Sequence, residues 1–271
     1  MSSNPIGIFD SGIGGLTIAH ALKDRLPNEN IIYYGDTKHL PYGEKSDDAI
    51  KHYSLRIAKF LKEKNCKIII IACNSASAVA FNYIVQNIKS IPIFNVIDPV
   101  INSLSKKYEG KKIGVIGTKA TIKSKIYQEK IKRKLFSSKV TALETPLLAP
   151  MIEEGFFNQD ISTRIIKNYL NNKSIIELDS LILACTHYPL IKNEIMRFYK
   201  NKVEVIDSSE LTADYIKSEL QKNKINNIQS NSSYNFIVSN LTESFSKSAS
   251  YFFKGKINLD HFYKIYNSKI L

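Results

Sequence analysis

Short apolar runs alternate with longer amphipathic stretches along the first third of the chain. The runs PIGIFD, NIIYYGD and KIIIIAC are each followed by a segment with apolar residues at helical spacing, namely GGLTIAHALKDRL, DDAIKHYSLRIAKFLKEK and SASAVAFNYIVQNI. In the second of these segments Ile50, Ile57 and Leu61 share one face, and Ser46 is placed to cap its start. The short run IPIFNVI predicts one more strand. This alternation predicts a parallel sheet covered by helices.

The same pattern starts again in the middle of the chain, as a weak internal repeat. The segment KKIGVIGTKATIKS at 111–124 is similar to NPIGIFDSGIGGLT at 4–17, and their alignment places Ser11 opposite Thr118. The sequence therefore predicts an α/β protein with two similar parallel-sheet α/β domains that face each other across an active-site cleft.

The segment VEVIDSSELTA resumes a strand and helix pattern after the second repeat. We therefore expect the second domain to be inserted within the first, with chain crossings near Asp98 and Asp207 that form a hinge. The first domain is predicted to comprise residues 1–97 and 208–271, and the second to comprise residues 98–207.

Two cysteines stand at equivalent places in the repeat. Cys73 ends the run KIIIIAC, Cys185 ends the run LILAC, and a small polar residue follows each. Ligands of open α/β sheets bind beyond the carboxyl ends of the strands, so two facing sheets would bring both thiols to one cleft. We also expect each cysteine to open a helix, whose N-terminus lowers the pKa of a thiol. Cys66 precedes its strand and is expected to be a buried structural residue, as most free cysteines are.

The composition limits the class of protein. With 271 residues, 44% hydrophobic and 23% charged, the chain is large enough for two globular domains. The start MSSNPIGIFD has no signal-peptide pattern, and no stretch approaches the ~18 apolar residues of a membrane span. Three cysteines are too few for a disulfide framework. We therefore expect a cytoplasmic protein with reduced thiols and no membrane contact.

The net charge of +13 raises the question of a nucleic-acid partner. Only five of the 38 basic residues are arginines, which nucleic-acid surfaces favour, and the lysines are spread along the whole chain. We therefore expect no nucleic-acid binding. The positive field would still attract a small anionic substrate.

Two thiols on opposite sides of a cleft suit the inversion of a stereocentre, because one can remove a proton while the other donates a proton to the opposite face. Acyl transfer by one cysteine is an alternative that the sequence CTH raises, but it leaves the second cysteine without a role. Nucleotide binding is another, since FDSGIGG is a glycine-rich turn and Asp36 follows a second strand, although Thr17 occupies the last glycine position of that motif. A binding protein without enzymatic activity is the third class.

Five ordered motifs carry a family resemblance: GIFDSGIGG, YYGDTKHLPYG, ACNSASA, PMIEEG and LACTHYPL. Together they resemble the glutamate racemases, of the aspartate/glutamate racemase superfamily, and the likeness runs nearly end to end. It implies an enzyme that converts L-glutamate to D-glutamate for peptidoglycan, with two cysteines as the acid/base pair and neither cofactor nor metal. Aspartate racemase is the nearer alternative within the superfamily. A homodimer stays open.

Carried over residue by residue, the resemblance implies that Cys73 and Cys185 are catalytic, with Asp10 assisting the first thiol and His187 the second. It assigns Cys185 to L-glutamate and Cys73 to D-glutamate. Ser75 stands where the family usually has threonine, which keeps the hydroxyl. The residues expected to bind substrate are Asp10 with Ser11, Tyr42 with Gly43, Asn74 with Ser75, Thr186 with His187, and Glu153.

Overall fold

The structure, a computed structural model, describes residues 3–229 and 231–261. Its strands are β1 (Ile6–Asp10), β2 (Ile31–Gly35), β3 (Ile68–Ile71), β4 (Ile93–Asn95), β5 (Lys112–Gly117), β6 (Lys139–Glu144), β7 (Ser180–Ala184), β8 (Glu204–Asp207), β9 (Tyr234–Val238) and β10 (Leu259–His261). Its α-helices are α1 (Leu16–Arg25), α2 (Asp47–Glu63), α3 (Asn74–Val79), α4 (Phe81–Asn87), α5 (Ile97–Ser103), α6 (Lys119–Lys123), α7 (Ile126–Lys134), α8 (Leu148–Glu153), α9 (Asp160–Leu170), α10 (Lys192–Phe198), α11 (Ser209–Lys222) and α12 (Glu243–Phe253).

These strands form two sheets. The first has six strands in the order β10-β9-β2-β1-β3-β4, and the second has four in the order β6-β5-β7-β8. Every strand pair in the described part of the chain is parallel. Two parallel sheets with helices packed on them confirm the predicted α/β fold class. None of the described helices is long and apolar enough to cross a membrane.

Burial explains why the central strands are apolar throughout. All residues of β1, β3 and β7 are buried, because helices cover both faces of a parallel sheet and no face is left for polar residues. One apolar cluster continues from the six-stranded sheet to the four-stranded sheet, since it contains Ile6 and Ile8 as well as Leu181 and Leu183. The two sheets are therefore joined by a shared core as well as by the chain.

The chain leaves the six-stranded sheet after β4, builds the whole four-stranded sheet, and returns to the first sheet with β9 and β10. Between the sheets α11 packs against α1, and a buried ion pair between Lys67 and Glu29 holds the return segment. Lys67 Nζ donates to the carbonyl of Ile225 at 2.8 Å, and the backbone N–H of Asn227 donates to Glu29 Oε1 at 2.7 Å. The domain boundaries at residues 97/98 and 207/208, and the hinge, stay predictions.

Local details confirm one prediction and correct two. Ser46 caps α2, since its Oγ accepts a hydrogen bond from the N–H of Ala49. The single helix expected after Cys73 is interrupted at Ala80, where α3 ends and α4 begins. The strand expected over IPIFNVI is only three residues long, because the Asn95 side chain accepts hydrogen bonds from the next backbone N–H groups and starts α5.

Candidate active site

A cavity of about 210 Å³ lies where the carboxyl ends of strands from both sheets meet. Its wall contains the residues that follow the central strands of each sheet: Ser11 after β1, Cys73 after β3, Thr118 after β5 and Cys185 after β7. This is where the fold is expected to bind a ligand. The remaining lining residues are Leu40, Pro41, Tyr42, Gly43, Asn74, Ser75, Ala149, Pro150, Glu153, Thr186 and His187.

Cys73 enters the cavity from the six-stranded sheet, between β3 and α3. It is buried, and its Sγ lies 3.5 Å from Ser11 Oγ. The expectation that the pKa of this thiol lies below its ordinary value is wrong. Burial, together with the negative charge of Asp10, raises the pKa of Cys73 to about 12 and outweighs the hydrogen bonds from Ser11 and from the Ala76 backbone. Without a ligand, Cys73 is therefore a protonated thiol at neutral pH.

Asp10 is the last residue of β1 and is fully buried. Its Oδ1 accepts a hydrogen bond from the N–H of Gly12 at 2.8 Å, and its Oδ2 lies 3.4 Å from Thr186 Oγ1 on the other side of the cleft. Burial raises the pKa of Asp10, while the positive charge of His187 and the backbone N–H groups oppose that rise. The carboxyl group is thus held beside the Cys73 loop and in contact with the Cys185 loop.

Cys185 enters the cavity from the four-stranded sheet. Its Sγ lies 3.6 Å from His187 Nδ1, and His187 Nε2 lies 2.7 Å from Glu153 Oε1. Burial works against a charged His187 ring, but negative charge at Cys185 and at Glu153 raises its pKa well above the ordinary value. The prediction that Cys185 opens an α-helix is wrong, since a 3-10 turn at Tyr188–Ile191 follows it. The positive neighbour of this thiol is therefore a side chain.

The glycines of the GIGG turn allow the first sheet to touch the Cys185 loop. A Cβ atom at Gly14 would lie 2.4 Å from Thr186 Oγ1 and 2.5 Å from His187 Cε1, so a larger residue would displace the Thr186 and His187 side chains. Thr17 Oγ1, at the start of α1, lies 3.1 Å from the carbonyl oxygen of Thr186. Gly14 therefore allows this turn to approach the Cys185 loop closely.

The Tyr42–Gly43 turn is fixed by Asp36, which is fully buried. Tyr42 OH donates to Asp36 Oδ2 at 2.6 Å, and Ser239 Oγ donates to Asp36 Oδ1 at 2.9 Å. His39 Nδ1 also lies 2.9 Å from Asp36 Oδ1. Since these side chains occupy its oxygens, Asp36 serves the turn and is not free to bind the ribose of a nucleotide.

Asn74 and Ser75 are held by residues of the second sheet's helices. Ser75 Oγ lies 2.8 Å from Thr118 Oγ1, and Tyr127 OH donates to Asn74 Oδ1 at 2.7 Å. The sequence did not identify Thr118 or Tyr127 as part of the site. A signal existed for Thr118, because the repeat aligned it with Ser11, but Tyr127 lies in the first turn of α7 and belongs to no motif of the sequence.

The third cysteine lies outside the cavity. Cys66 is buried before β3, at the opposite end of the strand from Cys73, and burial raises its pKa to about 12. Its Sγ would lie 2.9 Å from a Cβ atom at Gly7. All three cysteines are free thiols. Within residues 3–229 and 231–261, no group of three or more His, Cys, Asp and Glu side chains is arranged to hold a metal ion.

The structure thus gathers the predicted site residues around one cavity, with Asp10 buried beside it. Ser11, Tyr42, Gly43, Asn74, Ser75, Thr186 and Glu153 stand with the two cysteines and His187 in the wall. Glu153, in α8, lies 34 positions from His187 in the sequence and is placed by its contact with that residue. Their individual roles stay predictions.

The chain is similar to known racemases along most of its length. A family described as Asp/Glu/Hydantoin racemase matches residues 16–216. A glutamate racemase of Aquifex pyrophilus is 47% identical over 205 residues, which cover 76% of this chain and 79% of that protein. A protein of Caldanaerobacter subterraneus named glutamate racemase 3 is 38% identical over 255 residues, covering 94% of this chain and 92% of that protein.

The same likeness is found among solved structures. The crystal structure of a glutamate racemase from Francisella tularensis in complex with D-glutamate has a TM-score of 0.91 and 37% identity, and the match covers 97% of this chain and 98% of that one. An amino-acid racemase also agrees with two thiols that line one cavity from different sheets. The chain therefore belongs to the glutamate racemase family.

Proposed function

We propose that the protein interconverts L-glutamate and D-glutamate by proton transfer between the substrate and two thiols, Cys73 and Cys185. One observation carries the proposal: the two thiols come from different sheets and line the same cavity. Glutamate as the substrate is supported by the names of the similar proteins. It is supported too by the D-glutamate bound to the Francisella protein.

Racemisation in one step needs a base on one face of the α-carbon and an acid on the other. The burial of Cys73, whose pKa is raised to about 12, supplies a protonated thiol as the acid. His187 places a positive charge 3.6 Å from Cys185 Sγ, which is the neighbour that a thiolate base requires. In the proposed L-to-D direction, Cys185 removes the α-proton and Cys73 protonates the opposite face.

The D-to-L direction requires the reverse distribution of protons. Cys73 must then become the base, and Asp10, at the end of β1 beside it, is the group placed to exchange a proton with it or with the substrate ammonium. Glu153 and His187 keep the proton that Cys185 must donate. Each thiol thus has its own neighbouring acid/base group, Asp10 for Cys73 and His187 for Cys185, and these two groups carry opposite charge.

The cavity wall fits a small substrate with two carboxylates and one ammonium. Hydroxyl groups of Ser11, Ser75 and Thr186 and the amide of Asn74 line it, and they can donate hydrogen bonds to carboxylates without adding bulk. The turn at Tyr42–Gly43 forms another part of the wall. We propose that these residues bind the substrate and that the D-glutamate produced is used for peptidoglycan synthesis.

The direct test is to incubate the purified protein with L-glutamate in the presence of a chelator, without added cofactor, and to follow D-glutamate by chiral chromatography. L-Aspartate is tested in parallel. We expect racemisation of glutamate at a kcat/KM far above that of aspartate. Preference for aspartate would contradict the substrate, and loss of activity with chelator would contradict the thiol mechanism.

The stereochemical test uses deuterated water. With two bases, the thiol that donates to the product has exchanged with solvent, whereas the abstracted proton leaves on the other side. At early times the newly formed D-glutamate should therefore carry deuterium while the remaining L-glutamate carries little. Equal early labelling of substrate and product would indicate a single base.

A further inference from the structure

The side chain of Asn74, next to the catalytic Cys73, is held from across the interface of the two sheets. Tyr127 lies on α7, which packs with the four-stranded sheet, and its hydroxyl donates to Asn74 Oδ1 at 2.7 Å. Both residues are buried, with 1% of Tyr127 and 2% of Asn74 exposed. This hydrogen bond joins residues that are 53 positions apart in the chain. It is therefore a property of the tertiary structure alone.

The other half of the same amide has no protein partner. Asn74 Nδ2 is buried and makes no hydrogen bond within the described part of the chain, while Asn74 is part of the cavity wall. An unpaired buried N–H donor costs free energy, so a buried donor at a binding cavity indicates a ligand acceptor. A substrate carboxylate is such an acceptor.

Tyr127 decides which end of the amide is available. A buried tyrosine hydroxyl needs an acceptor for its proton, and Asn74 Oδ1 is the acceptor that the described residues provide. The amide oxygen therefore stays with Tyr127, and the NH₂ group is left for the substrate. If the amide rotated, its oxygen would face a substrate carboxylate and repel it.

We propose that Tyr127 is a positioning residue, which orients the Asn74 amide so that Nδ2 donates to a carboxylate of the bound substrate. This inference rests on the proposed racemisation of glutamate. Tyr127 acts through Asn74 and does not touch the substrate itself, since its hydroxyl is used in the hydrogen bond and its ring is buried.

The test is the variant Tyr127→Phe, which removes one hydroxyl and keeps the ring. Loss of a neutral hydrogen bond that orders the amide should raise KM about fivefold for both enantiomers, with kcat changed less than twofold. Tyr199→Phe is the matched control, because Tyr199 is also a buried tyrosine, after α10, and its hydroxyl has a backbone acceptor, the carbonyl of Ile175. It should leave KM unchanged.

A double-mutant cycle separates positioning from a general structural effect. In the Asn74→Ala background the amide is absent, so Tyr127→Phe should have no further effect on KM. If the same fivefold increase appears in that background, Tyr127 does not act through Asn74 and the inference is wrong. Equal KM values for Tyr127→Phe and Tyr199→Phe would overturn it too.

A competing explanation is that the Tyr127 hydroxyl acts on Cys185, since burial and then the negative charge at Cys185 raise the pKa of Tyr127. Tyr127→Phe would then shift the pH profile of kcat and leave KM unchanged, which contradicts positioning. The wild-type protein is assayed first. If it does not racemise glutamate, the proposed function fails. If it does, and Tyr127→Phe behaves like Tyr199→Phe, only the positioning role fails.

Discussion

The two halves of the site share a backbone plan but differ in charge. The strand order β2-β1-β3-β4 of the first sheet matches β6-β5-β7-β8 of the second. The registers match as well, since Ile6 pairs with Ile68 in one sheet and Ile113 pairs with Ser180 in the other. Counted from these pairs, Cys73 and Cys185 occupy the same position, five residues after the paired residue.

The side chains around the two thiols do not repeat. Asp10 at the end of β1 corresponds to Gly117 at the end of β5, so the first half has a carboxyl group where the second has none. Conversely, the residue two positions after Cys185 is His187, whereas two positions after Cys73 it is Ser75. The shared plan therefore sets where the thiols lie, and the differences give one thiol an acidic neighbour and the other a basic one.

The largest expected effect tests whether both thiols are required for activity. Cys73→Ala and Cys185→Ala should each lower kcat about 10³-fold or more in both directions, because in the proposed mechanism every turnover needs one thiol as the base and the other as the acid. Chiral chromatography of both reaction directions measures this. Near-normal turnover in either variant would show that one half of the site is dispensable.

Cys66→Ala is the matched control for these variants. It removes a third buried thiol from the same chain, at the opposite end of β3 from Cys73. Its kcat should equal that of the wild-type protein at a temperature where both are folded. The loss caused by the other substitutions can then be attributed to their place in the cavity.

A smaller effect, on the alkylation rates of the two cysteines, should reveal the opposite charges of Asp10 and His187. Asp10→Asn removes a negative charge that raises the pKa of Cys73, so alkylation of Cys73 by iodoacetamide near pH 8 should become faster. His187→Gln removes a positive neighbour of Cys185 Sγ, so alkylation of Cys185 should become slower. Mass spectrometry of the labelled cysteines measures both rates. Changes of the same sign in the two variants would contradict the comparison.

The same two variants should lower kcat about 10²-fold, the size of one general acid–base contribution. Because the enantiomers have equal free energies, kcat/KM must fall equally in the two directions, and any asymmetry must appear in kcat and KM separately. We expect that asymmetry to be opposite in Asp10→Asn and His187→Gln. If the loss in kcat/KM were divided between kcat and KM in the same way in both variants, Asp10 and His187 would both act on one thiol.

The smallest expected effect concerns stability at alkaline pH. The pKa of Cys73 rises from an ordinary 9.0 to about 12 on folding, so the folded state holds this proton more firmly. The free energy of unfolding should therefore fall as pH rises from about 9 to about 12. Cys66, raised to about 12 by burial, contributes in the same sense. Thermal unfolding should show a weaker decline with pH in Cys73→Ala than in the wild-type protein.

Asp10→Asn sharpens this measurement, because Asp10 raises the pKa of Cys73 and is not among the causes of the raised pKa of Cys66. In Asp10→Asn the part of the decline that Cys73 causes should begin at the same pH but end at a lower one. An unchanged decline in both variants would mean that the Cys73 proton is not linked to folding.

The sequence by itself determined the alternation of strands and helices, the internal repeat, and the two cysteines at strand ends. These follow from local patterns, because a short apolar run predicts a strand buried on both faces wherever it stands in the chain. The assignment of Asp10, His187 and Glu153 depended on family resemblance, since no spacing in the sequence connects Glu153 with a histidine 34 positions away.

Only the tertiary structure decided the electrostatics of the site and its contacts across the two sheets. The sequence suggested that a helix N-terminus would lower the pKa of Cys73, but burial and Asp10 raise it, and burial depends on everything packed around the thiol. Tyr127 carried no signal in the sequence, because its hydroxyl bonds to a residue of the other half of the site. Charge and desolvation act through space, so the pattern of apolar residues that predicts the strands does not predict the pKa values of the site.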